Sequence, residues 1–380
     1  MTTSTLPGTD DRLRHYGDGM SSGRRTLGKL VIAAGTLLFA AVLLFQILFA
    51  TGTIESGFST WRPVFYAYFL WAAAVIYGQI LVRGERGQRA AFVLPAVFFT
   101  VALVIFPTVF GLYIALTDWN LSSSTGRQFN GVDNIVSLWN DPFYWNALRN
   151  MVYYVIAVFF EYAIAFGLAL LLNAEIRARR FFRVVFLLPF MLSPVAVSWM
   201  IGKSIMENRF GPVARLARFL GWENPAFFSD PWIARLSIEF MDAWVFIPLM
   251  MILLLAGLQA LPREILEAAK VDGASSWQTF WRIVFPLMLP ASVTAILIRI
   301  IFKLKLADIV INVTSGGPGG ATDTVSSFIY REYRDRSNVG YGTALAEFYL
   351  IMIIIFITLA LLFTTRWVRR YSAARAAPSA

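Results

Sequence analysis

The chain has 380 residues, of which 58% are hydrophobic and 15% charged, with a mean hydropathy of +0.62. A soluble domain averages about 45–50% apolar and about 25% charged residues, so this is a membrane protein whose length is counted in crossings of about 20 apolar residues each. The net charge of +10 is then topogenic rather than a nucleic-acid footprint, and the absence of cysteine excludes disulfides, thiolate nucleophiles and Cys-based metal sites.

Residues 1–28, rich in Thr, Ser, Gly and Asp and holding the single histidine, His15, are expected to form a disordered cytoplasmic arm. A polar stretch of that length ahead of the first apolar run argues against a cleavable signal peptide. Eight segments are long and apolar enough to cross a bilayer: 29–50, 61–82, 91–116, 147–172, 184–206, 236–257, 287–308 and 342–365. An even number puts both ends on one side. Arg12, Arg14, Arg24 and Arg25, then Arg83, Arg86 and Arg89, then Arg177, Arg179, Arg180 and Arg183, then Arg366, Arg369 and Arg370 fall on one face, the cytoplasmic one by the positive-inside rule. The opposite loops are acidic or mixed, except 207–235, which is basic. The expected fold is all-α and polytopic, multi-pass in a membrane, with both termini and the 367–380 tail cytoplasmic. Residues 29–90 hold the first two helices.

Between the sixth and seventh crossings lies a cytoplasmic segment unlike its surroundings. Pro262 can open a helix whose Ile265, Leu266 and Ala269 form one side and whose Arg263, Glu264, Glu267 and Lys270 form another. Gly273 permits a positive φ, after which Ser275 or Ser276 can cap a second helix. Such a helix-turn-helix suits a docking element, or it merely connects two spans; periodicity leaves both open.

The stretch "EAAKVDGASSWQTFWRIVFP" resembles the EAA loop of the permease subunits of bacterial ATP-binding-cassette importers. Glu267, Ala268, Ala269, Gly273, Ile283 and Pro286 match at the family's spacing, with Phe285 in place of Leu. "YIALTDWNL", "FNGVDNIVSLWNDPFYWNALRN", "FFRVVFLLPFMLSP" and "TSGGPGGATDT" resemble landmarks of the carbohydrate-uptake branch, which includes the maltose and glycerol-phosphate permeases. Resemblance covers residues 91–366 and implies a six-helix type I importer core, preceded by an additional helix pair. It implies further that residues 262–286 couple to a soluble ATPase through Glu267, Ala268, Ala269, Asp272, Gly273, Ile283 and Pro286. The implied partners are a second related permease in a heterodimer, a homodimeric ATPase using ATP and Mg, an extracytoplasmic solute-binding protein and membrane lipid. No cofactor, metal or catalytic residue is expected in this chain, and no phosphate-cradling G-x-x-x-x-G-K-[ST] occurs in it.

Ionisable groups inside spans mark pathways or pair with one another. The acids are Glu161, Glu239, Asp242 and Glu347; the bases are Arg299 and Lys303, four apart on one helix face, and Lys305, which could pair with Asp308. Resemblance to maltose-type permeases implies that the pathway involves Asp242, Phe246, Leu249, Phe302, Lys303 and Leu306, and the intramembrane charge of Arg299, on the same helix face as Lys303, adds that residue to the expected pathway. Lys303 either meets an anionic solute or is neutralised by Asp242 or Glu161. The expected cargo is a sugar, a polyol or an anionic sugar derivative. A proton-coupled secondary transporter using Glu161 or Glu347 would have no use for the EAA element. A polytopic membrane enzyme would need a catalytic constellation, and none is found.

Overall fold

A computed structural model describes residues 22–124 and 126–376, with side chains to Arg366. The expected disordered arm lies outside the described residues up to residue 21, as do residues 377–380. Residues 22–28, expected in that arm, instead begin a helix. The chain divides into two compact units, Met1–Phe110 and Gly111–Ala380.

In the first unit, α1 (Ser22–Ala50) and α2 (Arg62–Arg83) form an antiparallel hairpin; α3 (Glu85–Ala115), which passes through a π-turn at Val101–Ile105, follows and continues beyond the end of this unit at Phe110. Glycines set the closeness of α1 to α2. A Cβ on Gly78 would clash with Ile32 Cγ1 and lie 2.9 Å from the Gly28 carbonyl, and one on Gly35 would lie 2.7 Å from Ala74 Cβ. Small residues let backbones approach where lipid offers no hydrophobic driving force. Polar ties add to this packing: Trp71 Nε1 donates to Thr36 Oγ1 at 3.1 Å and Tyr68 Oη to the Phe98 carbonyl at 2.7 Å. Gly78→Val is therefore expected to destabilise the hairpin by about 1–3 kcal/mol, read as a lower thermal midpoint of the solubilised protein. An unchanged midpoint would show that the helices part at no cost.

The second unit is built on α5 (Pro142–Asn173), α9 (Pro231–Gln259), α11 (Ser276–Lys303) and α14 (Val339–Ala376). Aspartates fix where two of them start. Asp141 Oδ1 accepts from Phe143 N at 2.9 Å, Asp230 Oδ1 accepts from Trp232 N and Ile233 N at 2.9 Å each, and a proline follows each cap at the first helical position. Their shared core contains Met151, Val158 and Leu172 of α5, Met250, Met251 and Leu254 of α9, Met288 and Ala295 of α11, and Leu345 of α14. Short helices α4 (Asp133–Trp139), α8 (Pro212–Phe219), α12 (Asp308–Val313) and α13 (Val325–Arg334) fill the connections.

Among the described residues, seven helices are long and apolar enough to cross a bilayer, and an eighth crossing exists only if a bent pair counts as one. That pair corrects the expected straight span over 184–206: α6 (Arg179–Met191) and α7 (Pro194–Ile205) meet at 93°. Leu192 and Ser193 are extended, with ψ of 141° and 145°; at Ser193 the following Pro194 disfavours the α region. Ser193 Oγ then accepts from Ala196 N at 3.2 Å and restarts the helix. The seventh span is corrected too. It ends at Lys303 rather than 308, and it begins at Ser276 because the second helix expected in the coupling segment runs into it through a π-turn at Phe280–Val284. Pro286, just beyond this turn, removes a backbone donor that regular α spacing requires.

Candidate functional site

Five charged side chains meet inside the second unit. Glu239 and Asp242, three apart, share a face of α9; Arg299 and Lys303, four apart, share a face of α11; Glu161 comes from α5. Arg299 Nε donates to Glu161 Oε2 at 2.5 Å and its Nη2 to Glu161 Oε1 at 3.0 Å, while Nη2 also bonds Asp242. Lys303 Nζ lies 2.8 Å from Glu161 Oε1 and 2.8 Å from Glu239 Oε2 and also bonds Asp242. Arg299 and Lys303 are 0% exposed; Glu161 and Asp242 are 2% exposed. The Arg299 guanidinium lies 4.5 Å from the Phe246 ring centroid. Oxygens of Glu161, Glu239 and Asp242 lie within 4.8 Å of one another, close enough to share a metal ion, and the Lys303 ammonium is bonded to all three acids. Of the two fates open to Lys303 in the sequence, the geometry is that of internal neutralisation. Two buried atoms of the cluster, Arg299 Nη1 and Glu239 Oε1, have no hydrogen-bond partner.

Beside the cluster lies a cavity of about 150 Å³ lined by Pro194, Asp242, Phe246, Phe302, Lys305, Leu306, Ala307, Asp308 and Ile309. Phe246 and Phe302 pack with ring centroids 5.3 Å apart. Of the expected pathway residues, Asp242, Phe246, Phe302 and Leu306 line this cavity. Arg299 and Lys303 are held in the ion cluster, and Leu249, half-buried on α9, is not in the lining. The pairing of Lys305 with Asp308 does not form: α11 stops at Lys303, so the two residues are not on one continuous helix and the three-residue spacing loses its meaning. Both are exposed and both face the cavity.

The Gly-rich loop "TSGGPGGATDT" is stitched to the bundle. Asn150 Nδ2 donates to the carbonyls of Gly320 and Asp323 at 2.9 Å each, and Arg235 Nε to that of Ala321 at 2.7 Å. Thr324 Oγ1 reaches the Leu306 carbonyl at 2.5 Å, and Asp323 pairs with Arg331 and accepts from Ser327 Oγ at 2.6 Å. Burial pushes the Asp323 carboxyl above its ordinary range despite Ser327 and Arg331, and burial does the same to Glu332 despite Arg336. Sequence reasoning missed Asn150 and Arg235, whose partners lie 85 to 173 positions away along the chain.

The coupling segment forms a second surface. α10 (Arg263–Val271) ends at Asp272 and turns through Gly273, whose φ is +72° as its residue type permits. A capping box of Ser275 and Gln278 then opens α11. Ala269 and Pro286 are buried and Ile283 is half-buried; Glu267, Ala268 and Asp272 are exposed. Val271 is 87% and Trp277 71% exposed, and Glu267 has no ion pair among the described residues. The 28-residue α11, about 42 Å long at about 1.5 Å per residue, joins this surface to Arg299 and Lys303 without a break.

Residues 162–376 match the family described as binding-protein-dependent transport system inner membrane component. The chain is 32% identical to a probable ABC transporter permease protein of Pyrococcus horikoshii over 70% of its own length and 91% of the relative's. It is 33% identical to the lactose transport system permease protein of Rhizobium radiobacter, over 69% and 89%. Its fold superimposes on a chain of a bacterial alginate ABC transporter in complex with an alginate pentasaccharide-bound periplasmic protein, with a TM-score of 0.65, 21% identity and coverage of 74% and 95%.

Proposed function

This chain belongs to the family of binding-protein-dependent transport system inner membrane components, and on that premise we propose that it forms half of the translocation pathway of an ATP-driven importer for a sugar, polyol or anionic sugar derivative. It is a multi-pass inner-membrane transport component rather than an enzyme. The observation that carries the proposal is the continuity of α11, which begins beside an exposed, capped turn and ends at the ion cluster and the cavity. A rigid rod carries a displacement that a flexible loop would dissipate. An ATPase cleft receiving Val271 and Trp277 would thus move one wall of the pathway directly.

On this reading the chain works with a solute-binding protein and an ATP-binding-cassette ATPase, the latter a homodimer that uses ATP and Mg. A second related permease supplies the other half of the pathway, and both termini are cytoplasmic. Glu161 is locked against Arg299 and Lys303, which leaves it ill-suited to the proton relay a secondary transporter would require.

Two measurements test this. The cysteine-free chain accepts single cysteines without background, and Ser276→Cys is expected to react with impermeant reagents only from the cytoplasmic side, Ser229→Cys only from outside. Labelling of Ser276→Cys in intact cells would refute the orientation. Affinity purification is expected to bring down an ATPase and a second permease, and vesicles of that complex to take up the solute only with ATP; a subunit that purifies alone refutes the importer reading.

A further inference from the structure

We infer that the first unit carries a docking surface for anionic phospholipid, in which Arg24, Arg25, Lys29, Arg83, Arg86 and Arg89 gather at one end of the helix hairpin and meet headgroup phosphates. The surface lies ahead of residues 162–376, which match the family, and the importer reading does not depend on it. Packing brings these charges together. Ile32 of α1 lies against Gly78 of α2, and Gly28 against Leu81 and Val82, so the antiparallel register sets Arg24 and Arg25 level with the turn at Gly84. That turn, with φ of +55° at Gly84, folds the start of α3 back until Gly87 meets the Gln79 carbonyl, and Arg86 and Arg89 flank the contact. All six cations are exposed. Only one acid, Glu85, accompanies them in sequence at this end, and among the described residues Arg25, Lys29, Arg83, Arg86 and Arg89 have no ion pair or side-chain hydrogen bond.

Arg25 and Lys29, four apart, and Arg86 and Arg89, three apart, share helix faces, an arrangement that repels itself until an anion covers it. The bilayer supplies that anion. α1 has 29 residues, about 44 Å at about 1.5 Å per residue, against a hydrocarbon core of about 30 Å, so its basic first turns reach into the headgroup layer. Leu27, Leu30, Phe92 and Val93, beside and below the cations, are exposed, Phe92 by 88%. They give acyl chains an apolar wall beneath the phosphates, which a soluble anion would leave uncovered. Basic clusters just cytoplasmic of a span recruit anionic lipid in this way. The chain's own residues 1–21 make a poor substitute, since Asp10, Asp11 and Asp18 are offset there by Arg12 and Arg14.

The test is native mass spectrometry of the purified full-length chain, equilibrated with phosphatidylglycerol or with phosphatidylcholine at equal concentration. Phosphatidylglycerol is expected to be retained on the order of five-fold better, and that preference to collapse in about 0.5 M ammonium acetate, where exposed charges are screened. Arg83→Gln, Arg86→Gln and Arg89→Gln, made together, should bring the ratio close to unity. The matching triple lysine variant should keep it, because an ammonium serves a phosphate as a point charge, and removal of residues 1–21 should leave it in place. Equal retention of the two lipids by the wild type, or a preference that survives the salt, overturns the inference without any variant. So does a preference kept by the glutamine variant or lost in the lysine one. A preference that emerges only after residues 1–21 are removed would make that arm the occupant, and displacement by an equal concentration of inorganic phosphate would make this a soluble-anion site; either result also overturns it.

Discussion

Replacing Arg299 with methionine is expected to cost about 3–5 kcal/mol, the usual penalty for removing one partner of a buried ion pair. Arg299, like Lys303, is bonded to both Glu161 and Asp242, and its loss leaves three carboxylates around one ammonium, that of Lys303. Desolvation makes this expensive, because water cannot replace the lost donors at side chains that are 2% exposed. Most of the cost lies in the acids left behind rather than in the worth of the pair. The double variant Arg299→Met, Glu161→Gln should therefore recover part of the loss, giving a coupling energy of about 1–3 kcal/mol in a double-mutant cycle. The measurement is the thermal midpoint of the solubilised complex. If the single variant melts within a degree of wild type, the cluster is hydrated and the burial argument fails.

Hydropathy made most of the fold legible, because a segment that must satisfy its backbone inside lipid has to be helical, apolar and of bilayer length. The failures are local and have local causes. The 184–206 segment scores as one span on apolarity, but Pro189 and Pro194 stand where a continuous helix needs backbone donors, and the chain turns through 93° there. Gly273 correctly marks a turn, yet nothing in the sequence after Ser275 separates a short amphipathic helix from the first turns of a span, since the π-turn at Phe280–Val284 absorbs the phase change. At the site, the identity of the charged residues was readable and their pairing was not. Glu161 and Arg299 are 138 positions apart, and only the packing of α5, α9 and α11 decides that Lys303 is neutralised while Lys305, two residues on, is left facing the cavity.

The coupling segment gives the largest expected functional effect. Gly273→Pro should reduce ATP-driven uptake by at least ten-fold, about 1.4 kcal/mol or more in coupling, while the subunit still inserts. The wild-type turn needs φ of +72° and a hydrogen bond from Gly273 N to the Lys270 carbonyl at 3.1 Å. Proline fixes φ near −65° and has no N–H, so it re-aims α10 against α11 without touching either core. Gly273→Ala keeps the donor and pays only the left-handed penalty of about 1–2 kcal/mol, in open space with no atom near the new Cβ; it should retain intermediate uptake. Glu267→Ala separates docking from folding. Glu267 is exposed and has no ion pair within the described residues, so its removal should change subunit stability by no more than about 0.5 kcal/mol. Any loss of uptake or of solute-stimulated ATP hydrolysis then reports a contact made to another chain. The readouts are uptake and ATPase rate in the same vesicles, with membrane insertion checked by labelling at Ser276→Cys. Wild-type rates for both Gly273→Pro and Glu267→Ala would reduce residues 263–286 to a passive connector, and α11 would then need some other surface through which to be driven.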